Sequence, residues 1–210
     1  MCRLKSAIIL RDRVYVPDHD SHTKMLEELN IEDTRMNAET KFIRAELVPT
    51  DDNVFSPVDN WDFHVDQDIL PDWYVEECDR SRMIAVVKKW AASRIFINAS
   101  GLKLSIGANY YLKGCTDVVL LGDVGISRLE NSTVRQMREN STVRQMRGSS
   151  TVGEMWENST VIIPDDYLAR NVRRSSIVLC DNSTIKDCRT KTIYQSGDWK
   201  LVSVDNGGKP

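Results

Sequence analysis

Asp18-His19-Asp20-Ser21-His22 concentrates metal-capable and acid–base groups in five residues, and hydrolases use His/Asp clusters of this kind to hold an ion that activates water. The stretch also follows Pro17 and opens a helix, where Asp and Ser serve as caps, and His19 and His22 lack the i, i+4 spacing of a helical zinc pair. Turn and helix cap is therefore the expected role, and no metal or cofactor is expected. His64 alternates with Phe63 and Val65 as a strand residue does. No Gly-rich phosphate loop, nucleophile elbow or paired-carboxylate setting stands out, so no catalytic residue is assigned. A second set of groups is cationic: Arg135, Arg138, Arg170, Arg173, Lys186 and Arg189, with Trp156 among them.

What positions that second set is a repeat. Residues 130–161 read ENSTVRQMR, ENSTVRQMR, GSSTVGEMW and ENSTV, one nonapeptide written three and a half times. Tandem copies of this length are the signature of a solenoid, in which each copy buries against its neighbours a face it cannot bury alone. Ser132, Val134 and Met137 point inward. Nine extended residues span at most about 30 Å, too little to close a ring around a core. Two copies per coil, one on each wall, is the expected closure.

The Val slot can be followed at spacings of eight or nine through Val118, Ile126, Val134, Val143, Val152, Val161, Ala169, Ile177, Ile185 and Ile193, and the Met slot from Leu121 to Cys188. Ten rungs predict about five coils of parallel β-helix. Pairing every second copy collects Arg135, Arg138, Trp156, Arg170, Arg173, Lys186 and Arg189 on wall one, with Trp156 between arginines in a cation–π arrangement contributing about 0.5 to 2 kcal/mol. Wall two mixes carboxylates, Arg144, Arg147 and the apolar Ile162, Val178 and Tyr194. The outward threonines are not doubled into an ice-binding array, and no copy has the Gly-Gly-x-Gly-x-Asp turn of calcium-binding rolls.

Ahead of the repeats the chain is not periodic. A hairpin around Arg11-Asp12-Arg13, a helix capped at Asp20 or Ser21 and running through Leu29, strands at 42–48 and 61–65 and a turn at 68–74 predict a small α+β domain over residues 1–75. Residues 76–94 read as a linker helix, acidic first and basic last as the helix dipole favours, that covers the open first coil. The solenoid domain follows over 95–196, entered by short strands up to Leu112. A cap strand at 199–204 and a tail complete the 210 residues.

Charge is uneven: 9 basic against 19 acidic side chains before residue 81, 19 against 12 after it. An acidic front joined to a basic solenoid speaks to association rather than to fold. The five cysteines show no CxxC spacing and read as reduced core residues. No apolar run reaches membrane-spanning length and Met1-Cys2-Arg3 opens no signal peptide, so a cytoplasmic setting is expected.

Ser21-His22 before a helix, Phe42-Ile43-Arg44-Ala45-Glu46-Leu47-Val48-Pro49, Trp61-Asp62-Phe63-His64-Val65-Asp66, Pro71-Asp72-Trp73-Tyr74 and the NSTV nonapeptides together make the chain resemble a family of uncharacterised bacteriophage and mobile-element proteins of gut bacteria. The resemblance covers nearly the whole chain. It implies an accessory protein acting in a bacterial host, in counter-defence, and brings no catalytic residue with it. Three expectations of function follow: wall one binds nucleic acid or an acidic partner protein, the acidic domain imitates DNA through Asp51, Asp52, Asp59, Asp62, Asp66, Asp68 and Asp72, or wall two forms a homodimer. A weaker enzymatic alternative is a hydrolase using His19, Asp20 and His22.

Overall fold

The structure is a computed structural model that describes residues 5–163 and the backbones of strands at 178–179, 184–187, 192–195 and 202–203. It is mainly β, with few helices and a parallel solenoid of about 4 turns. The chain divides into two compact units, Met1–Ser93 and Arg94–Pro210.

In the first unit β1 (Lys5–Leu10) pairs antiparallel with β2 (Val14–Tyr15) and with β3 (Phe42–Val48), and β3 pairs in turn with β4 (Asp62–Val65). Helix α1 (His22–Glu28) starts where Ser21 accepts the Lys24 amide proton, and a short α2 (Arg35–Thr40), capped by Thr34 and without a periodic signal in the sequence, precedes β3. Ile8, Leu10, Met25, Leu26, Ala38 and Phe42 form one core between the sheet and these helices. Helix α3 (Glu76–Arg94) is held by the first unit: Arg82 donates to the Leu10 carbonyl, Trp90 to Asp18, and Lys88 pairs with Asp59.

The second unit opens with β5 (Ile95–Ile97), β6 (Lys103–Leu104), β7 (Asn109–Lys113), β8 (Val118–Leu120) and β9 (Gly125–Glu130), followed by the repeats as β10 (Thr133–Met137), β11 (Thr142–Val143), β12 (Met146–Arg147), β13 (Thr151–Met155) and β14 (Thr160–Ile163). Beyond them lie β15 (Val178–Leu179), β16 (Thr184–Asp187), β17 (Thr192–Gln195) and β18 (Val202–Ser203). Copies stack two apart: Thr133 lies beside Thr151 and Val134 beside Val152 on wall one, Thr142 beside Thr160 and Val143 beside Val161 on wall two. Wall one runs β6, β8, β10, β13, β15. Wall two runs β5, β7, β9, β11, β14, β16. Every Val and Met slot from Val134 to Val161 is buried, as are Ser132, Ser141, Ser150 and Ser159.

The corners carry a rule of their own. Two residues past each Met slot the backbone turns left-handed, at Asn98, Gly114, Gly122, Asn131, Glu139, Gly148 and Glu157, with φ between 47° and 80°. At one corner Asn98, Gly114, Asn131 and Gly148 succeed one another, and a Cβ on either glycine would overlap the side-chain oxygen of the asparagine before it. Glycine is therefore required at 114 and 148 for room as well as for φ.

Several expectations need correction. The parallel ladder already includes β5 and β6, ahead of Val118 as the first expected rung, since Ile95 and Leu104 pair in parallel with Tyr111 and Leu120. Met137 sits beside Leu120, not Leu121, because β8 is one residue short and the register shifts between Val134 and Gln136. Past Val161 the spacing changes. Ile185 lies beside Val161 on wall two, and Val178 beside Glu154 on wall one, each opposite to the wall that counting by eights past Val161 assigns. Ile193 is not a parallel rung at all: β17 joins β16 antiparallel, and β18 joins β17 the same way. Ala169 and Ile177 lie outside the described residues.

Candidate functional site

Wall one of the repeats is the face on which the cationic residues were expected, and its geometry can be built rung by rung. Strand β10 projects Thr133 and Arg135 outward, and β13 projects Thr151 and Glu154. The two threonine hydroxyls stand 3.2 Å apart, the spacing of hydrogen-bonded neighbours in successive coils. Arg135 is exposed and pairs at 2.5 Å with Asp117, which the short β8 rung places beneath it. Glu154 accepts from both Gln136 and Trp156 at 3.1 Å. Trp156 donates its amide to the Met137 carbonyl, which sets the half-buried indole one rung from exposed Arg138. Arg138 has no acidic partner among the described residues.

The structure thus brings together Arg135, Arg138 and Trp156, with Glu154 and Asp117 interleaved. Lys186 is not with them: its backbone pairs with Ile162, on wall two. Arg170, Arg173 and Arg189 lie outside the described residues. The apolar set assigned to wall two is likewise divided, with Ile162 on wall two, Val178 on wall one and Tyr194 on the antiparallel β17.

On wall two, exposed Arg144 borders a shallow polar recess of about 190 Å³ with Asn109, Asp123, Asn140 and Thr142. Lower on that wall Glu130 is bracketed by Lys113 at 3.1 Å and Arg128 at 2.6 Å. Burial pushes the Glu130 carboxyl up, but the hydrogen bonds and charges of Lys113 and Arg128 outweigh it and hold the carboxyl below its ordinary range. That carboxylate is committed to structure.

The residues of the Asp18–His22 stretch diverge. Asp18 accepts from Trp90, His19 meets Glu28 at 3.0 Å, Asp20 pairs at 2.7 Å with buried Lys5, and Ser21 caps α1. Glu28 also accepts from Tyr15, which holds the carboxyl low and the phenol high. His22 turns away, toward Asp66 and Glu46. A site built from His19, Asp20 and His22 is therefore not assembled. Of the acidic set, Asp59 is engaged by Lys88 and Asp66 by His22. Glu46 was missed in the sequence because its link to His22 runs through sheet register, and only its place on β3, directly opposite His64, would have pointed to it.

No protein-family model, curated protein or solved structure matches the chain. The solenoid is established by its own strand register. The phage resemblance rests on the quoted motifs alone. No helix among the described residues is long and apolar enough to cross a membrane.

Proposed function

We propose that the protein is a non-enzymatic binding protein whose solenoid presents a rigid cationic flank to a polyanion, a nucleic-acid strand in the first instance. The observation that carries this reading is the placement of Arg138 beside Trp156 on successive rungs of wall one, with Arg135 in the middle of the strand that Arg138 follows. A guanidinium neutralises a phosphate or carboxylate, and an indole supplies a stacking face for a base. Parallel rungs repeat about every 4.8 Å and cannot rearrange individually, so little entropy is lost in ordering the surface. The pairing of Arg135 with Asp117 makes Arg138 the stronger contributor of the two.

The resemblance to mobile-element proteins directs the search for the natural partner to a host complex that handles nucleic acid, as a counter-defence protein would. A DNA-mimic role for the first unit is less favoured, since Asp59 and Asp66 already meet Lys88 and His22.

The test is fluorescence anisotropy with a labelled single-stranded oligonucleotide and, separately, an acidic peptide, across salt. Arg138→Glu is expected to weaken oligonucleotide binding and to reduce the slope of log affinity against log salt by about 1. Trp156→Ala is expected to cost about 1 to 3 kcal/mol if bases stack on it. Binding of the acidic peptide alone would move the assignment to a protein partner. Salt-independent binding, or none to either probe, would refute the polyanion reading.

A further inference from the structure

The first unit holds a cluster that the binding role does not use. One ligand atom each from His22, Glu46 and Asp66 lies within 4.8 Å of the others, and three elements distant in sequence supply them: the first turn of α1, the centre of β3 and the residue just past β4. We propose that these three side chains form a binding site for a divalent transition-metal ion of the zinc class.

The orientation of His22 carries the proposal. Its side chain is 10% exposed, so its ring is fixed by what surrounds it. Nε2 faces the Ala45 backbone carbonyl at 3.3 Å, and a carbonyl can only accept, so the proton of the neutral ring belongs on Nε2. The Nδ1 lone pair is then turned toward an Asp66 carboxylate oxygen 3.3 Å away, with Glu46 beside it. A lone pair and two carboxylates converging in this way are completed by a cation, either a proton on Nδ1, as in the ion pair with Asp66, or a metal ion in its place. A histidine whose far nitrogen is anchored to a backbone carbonyl is also how metal-ligating imidazoles are ordinarily held.

The His22–Asp66 distance agrees. Two ligands each about 2.0 to 2.1 Å from a tetrahedral ion stand roughly 3.3 Å apart, which is the separation of Nδ1 from the Asp66 oxygen. Glu46 is a flexible side chain that closes the remaining gap by rotation. The Asp66 side chain is 63% exposed, leaving the outer side of the ion open to water or a further ligand. His64, directly across the sheet from Glu46 and two residues before Asp66, is exposed and within the ordinary reach of a cross-strand neighbour. Imidazole with carboxylates favours zinc, manganese or cobalt over calcium and magnesium, which prefer oxygen alone. The site is independent of the solenoid flank and stands whether or not that flank binds a polyanion.

The test is titration of the full chain with Co²⁺, read by visible d–d absorption, with Zn²⁺ competition and Ca²⁺ as the hard-ion control. One ion per chain is expected, displaced by Zn²⁺, without the near-ultraviolet band that a cysteine thiolate would add. His22→Ala and Asp66→Asn should each weaken binding by more than about 100-fold, since even outer-shell changes at metal sites cost about 10 to 100-fold. His19→Ala, whose ring is engaged by Glu28, should leave it unchanged. Asp66→Asn keeps a surface residue of the same shape and so reports even if His22→Ala fails to fold. Failure to bind Co²⁺, equal binding of Ca²⁺, or unchanged affinity in Asp66→Asn would overturn the assignment.

Discussion

Gly148→Ala is expected to destabilise the solenoid by about 2 to 3 kcal/mol, although it adds a single methyl group. The left-handed backbone at φ 63° costs an alanine about 1 to 2 kcal/mol. The added Cβ also overlaps Asn131 Oδ1, which accepts from the Ser149 amide at 3.0 Å. Displacing that oxygen forfeits a hydrogen bond worth about 1 kcal/mol. The two parts separate in a double-mutant cycle. In an Asn131→Ala background the overlap is gone, and Gly148→Ala should cost only its backbone share. Urea denaturation of the four proteins measures this. Additive costs would mean that the asparagine and the glycine do not meet at the corner.

The second large effect contrasts serines that repeat copy matching treats as equivalent. Ser150 Oγ lies 2.6 Å from the Arg147 carbonyl and 3.0 Å from that of Leu129, and accepts from the buried Ser132 amide at 3.3 Å. Ser159, in the same slot one copy later, is fully buried with its hydroxyl lacking a hydrogen-bond partner among the described residues. Ser150→Ala leaves a buried N–H unsatisfied and is expected to cost about 1 to 3 kcal/mol. Ser159→Ala removes a hydroxyl whose burial is not compensated and should be neutral or stabilising by up to about 1 kcal/mol. Thermal melts of the two variants decide it. Equal losses would remove the distinction between the two corners of the coil.

That contrast shows where the sequence is readable and where it is not. Identical copies announce the Val and Met slots, and the length of nine residues alone argues for two walls, so the stacking of Val134 on Val152 could be stated from the chain. The corners could not, because their left-handed position is filled by Glu139, Glu157 and Asn131 as readily as by glycine. The ladder beyond Val161 was misread for a different reason. Its next partner is Ile185, and a count that steps by eights through Ala169 and Ile177 has no means of absorbing a longer spacing.

The site divides along the same line. Arg135, Arg138 and Trp156 fall on one wall because the nine-residue spacing holds there, whereas Lys186 lies past the break in period and is carried to the other wall. The Asp117 partner of Arg135 follows from a rung one residue short, a feature with no sequence signal beyond an eight-residue spacing. In the first unit, helix capping by Ser21 was legible from local chemistry. The meeting of His22 with Glu46 and Asp66 depends on which strands pair and in what register, and local chemistry does not specify that.

The stacking that places Arg138 next to Trp156 is tested most directly by cross-linking. In Thr133→Cys/Thr151→Cys the two thiols replace hydroxyls 3.2 Å apart on adjacent rungs, within the span of a disulfide. In Thr133→Cys/Thr142→Cys they sit on opposite walls, which packed sheets keep about 10 Å apart. Mild oxidation followed by peptide mapping should show nearly complete closure of the first pair and none of the second. Closure of the second pair in preference to the first would mean that consecutive nonapeptides stack on each other, and the cationic flank would not exist.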